Sequence, residues 1–344
     1  MITLSILIPT FNRANKLLRL LKSLESEVSH LGVKTQIQVL VSDNASTDAT
    51  PKILSEFSTV YFKFGYFCQT KNIGFDCNLR FLYHKAETDY VWYIADDDTP
   101  LPGAIETIFI TLQDKNPDAL LFSFIQPLGS TFRQFDFPEP IRLVKDPSLA
   151  IEYILTYTKL SIFVMRKINF DNAKWEILDK SLGGGWYYIS LAFSVMENSE
   201  NMLLAIITEP LASCDEDYAA ITYTPYPFLH MGEMVEHPFV LKYKPNLPEY
   251  YAIEGYCQAI IFAFSAKVGS LAPINILEYD KFIGDLEFKF LLLIRRPKVL
   301  FQLLSLKLRV AVIWKLKNKV CSLLGLESKC FPSVCGKSPT DGKL

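Results

Sequence analysis

"YVWYIADDDTPLP", residues 90–102, sets an apolar run directly against three consecutive carboxylates, Asp96, Asp97 and Asp98. Each ionised neighbour makes the next one harder to ionise, so a triplet needs a cation or strong donors wherever water is scarce. Asp followed by Thr-Pro is also good turn chemistry, and a solvated turn is the plain alternative. The run before the triplet reads as a strand covered on both faces. What flanks it decides between the two.

Upstream, two periodicities alternate. "LSILIP" (residues 4–9) is a short, nearly all-apolar run, and it gives way to "NRANKLLRLLKSL", whose leucines at 17, 18, 21 and 24 keep helical spacing. "IQVLVSDN" is a second apolar run. "TPKILSEF" then starts a helix, with Thr50 as N-cap and Pro51 in the first helical position. "VYFKFGYF" is a third candidate strand, "FDCNLRFLYHKA" a helix, and "PGAIETIFITLQ" restarts a helix behind the triplet. Such alternation predicts an α/β fold with a mostly parallel sheet flanked by helices. Ligands of these sheets bind beyond the C-terminal strand ends. The polar residues there are Thr10 and Asn12, Asp43 and Asn44, and Asp96 to Asp98. They are expected to line one crevice.

The remainder is less regular. "ALLFSFIQ" and "LSIFVMRK" are strand-like, and "SLGGGWYYISLAFSVMENS" reads as a glycine turn entering a helix. Residues 216–280 carry many Pro and Tyr. Between Glu287 and Leu326 stand nine Lys or Arg against Glu287 alone, in a leucine-rich setting. The expected domains are a catalytic unit over 1–215, with its nucleotide-binding half at 1–115, and a mainly helical region over 216–344. The basic segment 287–326 is its membrane-proximal part. Its cations suit anionic headgroups and its Leu, Phe, Val and Trp314 the acyl boundary. The alternative is a helical pair with a solvated basic face.

Composition narrows the class. The 344 residues are 50% hydrophobic and 21% charged, enough for a sizeable core and unlike a disordered chain. A net charge of −2 gives no general affinity for nucleic acid. Seven cysteines form no C-x-x-C pair, and Met1 leads straight into a strand-like run, so free thiols in a reducing cytoplasm are expected. Cys330 and Cys335 read as incidental. No apolar run reaches the ~18 residues of a spanning helix.

The strand-end residues carry the chemistry. Carboxylate oxygens are the ligands that Mg²⁺ or Mn²⁺ takes, and such ions commonly bridge one or two carboxylates to substrate phosphates. Asp43, in "VSDNAS", can only accept hydrogen bonds, which suits an imide N–H such as that of uracil, thymine or guanine. An Asx-turn or helix cap is its structural alternative. Neither G-x-G-x-x-G nor G-x-x-x-x-G-K-[ST] occurs, so phosphates must be met by metal and side chains.

"SILIPTFNR", "VLVSDNASTDAT", "KNIGFDCNLR" and "YIADDDTPLPGAIE", in that order, resemble the family-2 nucleotide-sugar glycosyltransferases of the GT-A fold over residues 1–115. The resemblance implies that Pro9, Thr10 and Asn12 border the nucleoside, that Asp43 binds the base, and that the Asp-rich motif meets ribose and metal-diphosphate. Asn72 and Asn78, in the third motif, join the nucleotide-binding set. Asp96 and Asp98 fit the family's Asp-x-Asp metal pattern, with Asp97 an equally close ligand. Inverting transfer onto an acceptor hydroxyl follows from the same resemblance.

Two departures stand out. Cys77 occupies the position where relatives carry Arg before Asn78, with Arg80 nearby as a substitute charge. Glycines stand in "SLGGGWYYISLAF" where relatives carry a Glu-Asp pair whose Asp is the general base. Asp179, Asp215 and Asp217 are the candidate replacements, and capping a turn is their alternative role. His230 and His237, seven apart, would share a helical face, as metal ligands or as ordinary surface or core histidines. Trp186 offers a sugar-stacking ring or a core residue.

The sequence thus predicts a metal-dependent glycosyltransferase, cytoplasmic and peripheral on the inner membrane face. Its donor is expected to be a UDP- or dTDP-type sugar, and its acceptor a glycan or polyprenyl-linked glycan of surface polysaccharide or oligosaccharide synthesis. A sugar nucleotidyltransferase and a catalytically silent nucleotide-sugar-binding scaffold are the rival readings.

Overall fold

The computed structural model describes residues 2–31, 36–125, 134–213, 230–248, 250, 251 and 255. β1 (Leu4–Thr10), α1 (Ala14–Ser29), β2 (Ile37–Asp43), α2 (Thr50–Glu56), β3 (Lys63–Cys68), α3 (Phe75–Lys85) and β4 (Tyr90–Tyr93) follow the expected alternation. β1 and β2 are buried at every position, and the polar pair within them is satisfied by Ser5 Oγ donating to Gln38 Oε1 at 2.9 Å. α1 buries Leu17, Leu20, Leu21, Leu24 and Val28. Leu20 thus joins the apolar stripe, while Leu18 is only half-buried. Thr50 lies inside α2, and its amide donates to Asp48 Oδ1 at 2.9 Å, so Asp48 serves the helix start that was expected of Thr50. Asp48 Oδ2 also accepts from the Ala14 amide at 3.0 Å, so one carboxylate satisfies amides of two helix starts.

Strands β5 (Thr99–Pro100), β6 (Ala119–Ile125), β7 (Ile141–Val144), β8 (Phe163–Arg166) and β9 (Leu204–Ser213) complete a nine-stranded sheet. Its order is β3-β2-β1-β4-β8-β6-β9-β5, with β7 pairing β9. β3, β2, β1 and β4 run parallel, and β6 and β9 share their direction, whereas β8, β5 and β7 run against them. The order reverses between β1 and β4: α1 and α2 return to strands on one side, and α3 crosses to the other. Right-handed crossovers put α3 on the opposite face. α3 packs on α7 (Tyr187–Glu197), which packs on α6 (Asn172–Asp179), whereas α1 packs on α2 and α4 (Ala104–Lys115). α5 (Pro147–Thr156) and the one- or two-turn helices α8 (Met231–Met234) and α9 (Pro238–Tyr243) finish the described part. No helix among the described residues is long and apolar enough to cross a membrane.

Trp92 ties β4 to the 3₁₀ turn Leu160–Ile162. Its ring is fully buried and edge-on to Phe122, and its Nε1–H donates to the Ser161 carbonyl at 2.7 Å. Trp92→Ala removes both the ring and that donor. It should cost about 3–5 kcal/mol, read as a lowered urea midpoint with an unchanged m-value.

Candidate functional site

Beyond Tyr93 the chain leaves the sheet, and residues 95–98 close a turn through the Asp98 amide and the Ala95 carbonyl at 3.1 Å. Every carboxylate of the triplet is partnered, and Asp96 and Asp97 share Arg13. Arg13 Nη1 donates to Asp96 Oδ1 at 3.1 Å and also to Asp97. Lys16 stands 3.8 Å from Asp97, and Arg19 donates to the Asp97 carbonyl at 2.8 Å. Asp98 is buried and accepts from the Ser161 hydroxyl at 2.5 Å, while Ser161 Oγ itself accepts from the Ala95 amide at 2.9 Å. The triplet is therefore no solvated turn. It is clamped from α1 on one side and from the turn before β8 on the other.

Burial pushes the Asp96 carboxyl up to about 6, with Asp97 adding to the rise while Arg13 and the Thr10 hydroxyl oppose it. Arg13 is pulled down by burial, but Asp96 and Asp97 outweigh that and raise it. Among the described residues no three His, Cys, Asp or Glu side chains form a ready metal cluster. The donor set nevertheless suits a hard cation. Asp96 and Asp97 already converge on a single positively charged nitrogen, and substrate phosphates commonly supply the remaining oxygens. The pair that converges is Asp96 with Asp97, whereas Asp98 turns to Ser161.

The neighbouring strand ends are laced together. Asn12 sits in the left-handed region at φ 55°, which Asn tolerates. Its Oδ1 accepts from the Thr47 amide at 2.7 Å and its amide donates to Ser46 Oγ at 2.7 Å, so it joins the loop after β1 to the loop after β2. Asp43 is buried, and its Oδ1 accepts from the Ser46 amide at 3.0 Å, the turn bond foreseen as its structural alternative. Asn44 Nδ2 donates to Asn72 Oδ1 at 3.0 Å, and Asn44 Oδ1 accepts from the Ile73 amide at 2.8 Å. Asn78 brackets Ser42, accepting its hydroxyl at 2.6 Å and donating to its carbonyl at 3.0 Å. Pro9, Thr10, Asn12, Asp43, Asn72, Asn78 and the triplet thus occupy one sheet edge. Asn12, Asn72 and Asn78 hold loops there.

The candidate bases fare differently. Asp179 ends α6 and pairs with Arg80 at 2.9 Å, while Arg80 lies over the Trp175 ring at 5.7 Å. Arg80 is thereby drawn to α6 through Asp179 and Trp175. Asp215, Asp217 and the basic segment 287–326 lie outside the described residues. His230 and His237 do not share one helical face: His230 precedes α8, and His237 caps α9. His237 is buried against Ser194 Oγ at 2.8 Å, and burial pushes its imidazole down to about 3, which makes it a core histidine. Trp186 is half-buried at the start of α7, packed on the core.

Several residues of this edge escaped the sequence reading. Arg13, Lys16 and Arg19 are spaced three apart, a helical signal visible in hindsight. Phe11 is 42% exposed and offers a flat apolar face beside Asn12. Asp76 is the least expected. It is buried, and its carboxylate accepts from the amides of Gly183 and Gly185, both at 2.8 Å, and of Tyr187 at 3.3 Å. Burial raises its carboxyl above the ordinary range against the pull of those amides and of His230.

The family model described as Glycosyl transferase family 2 matches residues 5–171. Abequosyltransferase RfbV of Salmonella typhimurium (strain LT2) is 25% identical over 232 residues, 62% of this chain and 67% of that protein. Among solved structures, S. aureus TarS 1-349 superposes with a TM-score of 0.55 at 15% identity, covering 83% of this chain and 80% of that one. The same protein in complex with UDP gives 0.57 at 14% identity, over 96% and 94%. At these identities the likeness shows the fold, which is GT-A.

Asp96 provides a pH test. Its folded-state value, about 6 against an ordinary 3.8, means the protonated form is favoured by folding. Its contribution is full below about pH 4 and is lost as pH rises through about 6. In chelator, wild type should lose stability relative to Asp96→Asn across that window, measured as the difference in urea unfolding free energy; parallel curves would refute it.

Proposed function

We propose that this chain, whose residues 5–171 match the glycosyl transferase family 2 model, transfers a sugar from a nucleoside-diphosphate donor to an acceptor hydroxyl with inversion. The single observation that carries this is the clamped triplet at a parallel-sheet edge, level with the loops of Asp43 and Asn12.

Phe11 and the Asp43 carboxylate take the base, Asp43 by accepting an imide N–H, which favours uracil or thymine nucleotides. The UDP and UDP-GlcNAc complexes of TarS support a UDP donor. Pro9, Thr10 and Asn12 border the nucleoside, with the loop held by Asn72 and Asn78 beside it. Asp96 and Asp98, with Asp97 between them, would hold Mg²⁺ or Mn²⁺. When bound, the ion neutralises the charge that develops on the departing diphosphate. Arg13 and Lys16 place further positive charge beside it, in place of a glycine cradle. The acceptor oxygen bonds to the anomeric carbon, the carbon–phosphate-oxygen bond breaks with its electron pair going to the diphosphate, and the hydroxyl proton passes to a base.

The acceptor class proposed is a glycan or polyprenyl-linked glycan of surface polysaccharide synthesis. The nine cations of residues 287–326 support a peripheral position on the cytoplasmic membrane face.

Purified protein incubated with a panel of UDP- and dTDP-sugars and Mn²⁺ should release nucleoside diphosphate, and EDTA should stop the release. Asp98→Asn, which keeps side-chain volume, should lower the rate about 10²–10³-fold with an unchanged circular dichroism spectrum. Undiminished release in both EDTA and the variant would remove the metal from the mechanism.

A further inference from the structure

The transfer just described needs a proton acceptor, and the glycine turn that Asp76 ties to α3 carries, among the described residues, a titratable pair, His230 and Glu233, that no role above uses. α3 follows β3 and leads back to β4, so its first turn lies at the strands' C-terminal edge. Asp76 in that turn gathers the amides of Gly183, Gly185 and Tyr187, which brings the turn before α7 to the same edge. His230 packs directly on this turn: a Cβ placed on Gly184 would stand 3.1 Å from His230 Cβ. The missing side chain at Gly184 is what gives the imidazole its room. His230 Nδ1 lies 2.5 Å from Glu233 Oε2. The His230 side chain is 30% exposed and that of Glu233 44%, so the pair opens to solvent and to an incoming hydroxyl.

We propose that His230 is the general base of the transfer, with Glu233 as its positioning residue, an assignment that rests on the glycosyl-transfer reading above. A carboxylate on Nδ1 keeps the proton on that nitrogen and leaves the Nε2 lone pair to accept another. The acceptor O–H proton goes to Nε2 as the oxygen bonds to the anomeric carbon and the diphosphate leaves with the electron pair. Glu233 then faces an imidazolium whose charge it offsets. Asp76, buried across the glycine turn, adds a second negative charge within electrostatic reach of the ring. A purely local role, an ion pair three residues apart at the start of a one-turn helix, would leave turnover indifferent to Gly184.

The test uses the full chain with Mn²⁺ and UDP-glucose, UDP-galactose, UDP-N-acetylglucosamine or dTDP-glucose, following release of nucleoside diphosphate, with UDP binding measured by calorimetry. His230→Ala should bind UDP within about twofold of wild type, lose about 10²–10⁴-fold in kcat, and regain part of that loss when free imidazole is added. Glu233→Gln should lower kcat about tenfold at unchanged KM, and Gly184→Ala, which crowds the ring, should lower kcat in the same sense. Should His230→Ala fail to fold, His230→Asn carries the same expectation for kcat. Release by the His230 variant within about threefold of an active wild type, with no response to imidazole, overturns the assignment. Wild-type protein that binds UDP and releases nothing from any of the four sugars overturns the transfer reading, and the base with it.

Discussion

Three adjacent carboxylates at the end of a buried strand are tolerable only if positive charge and donors are brought to them, and much of the architecture around this edge serves that requirement. Arg13, Lys16 and Arg19 reach the triplet from the start of α1, and Ser161 reaches it from the turn before β8. The two sources differ in kind. The cations from α1 meet Asp96 and Asp97 directly. Ser161 meets Asp98 with a neutral donor, which orients a carboxylate without cancelling its charge. Both kinds of contact fix the carboxylates' positions at the strand end. The insertion of antiparallel β8 beside β4 is what delivers Ser161, so the one reversed strand in the middle of the sheet has a local purpose.

The same edge is held in register by side chains that bond to backbone across loops. Asn12 fastens the loop after β1 to Ser46 and Thr47, Asn44 fastens the loop after β2 to Asn72 and Ile73, and Asp76 fastens α3 to the glycine turn before α7. Such bonds fix loops that the sheet's own ladder cannot reach. Ala45, at φ 66°, is the residue strained by this lacing, since an alanine has no polar side chain to repay the left-handed conformation. Strain next to Asp43 is where a nucleotide-binding loop would concentrate it.

The alternation of strands and helices through residue 115 was legible because both periodicities are strong: β1 and β2 are largely apolar, and α1 keeps its stripe. The strand-end location of Asp43 and Asp96–Asp98 followed from that alternation. What the sequence concealed was pairing at a distance. Nothing local says that Asp76 reaches residues more than a hundred positions away, that Ser161 meets Asp98, or that Asp48 serves two helices. The histidines at 230 and 237 misled for a related reason. α8 stops at Met234 and Pro238 starts α9, so a seven-residue spacing that would align two side chains on a continuous helix separates them into a part-exposed pair with Glu233 and a core contact with Ser194.

Asp43 illustrates how a structural role leaves room for the proposed recognition role in one residue. Its Oδ1 accepts the Ser46 amide, and on that ground alone it could be dismissed as turn chemistry. Yet an ionised carboxylate offers about four lone-pair sites, and one turn bond uses a single one of them. The bond also removes the rotational freedom that a recognition contact would otherwise have to freeze, so the turn lowers the entropic cost of accepting an imide N–H. Asn would satisfy the same turn through its Oδ1, but it would place an amide donor where an acceptor is required. The turn therefore tolerates either residue, and only the proposed base contact would distinguish them.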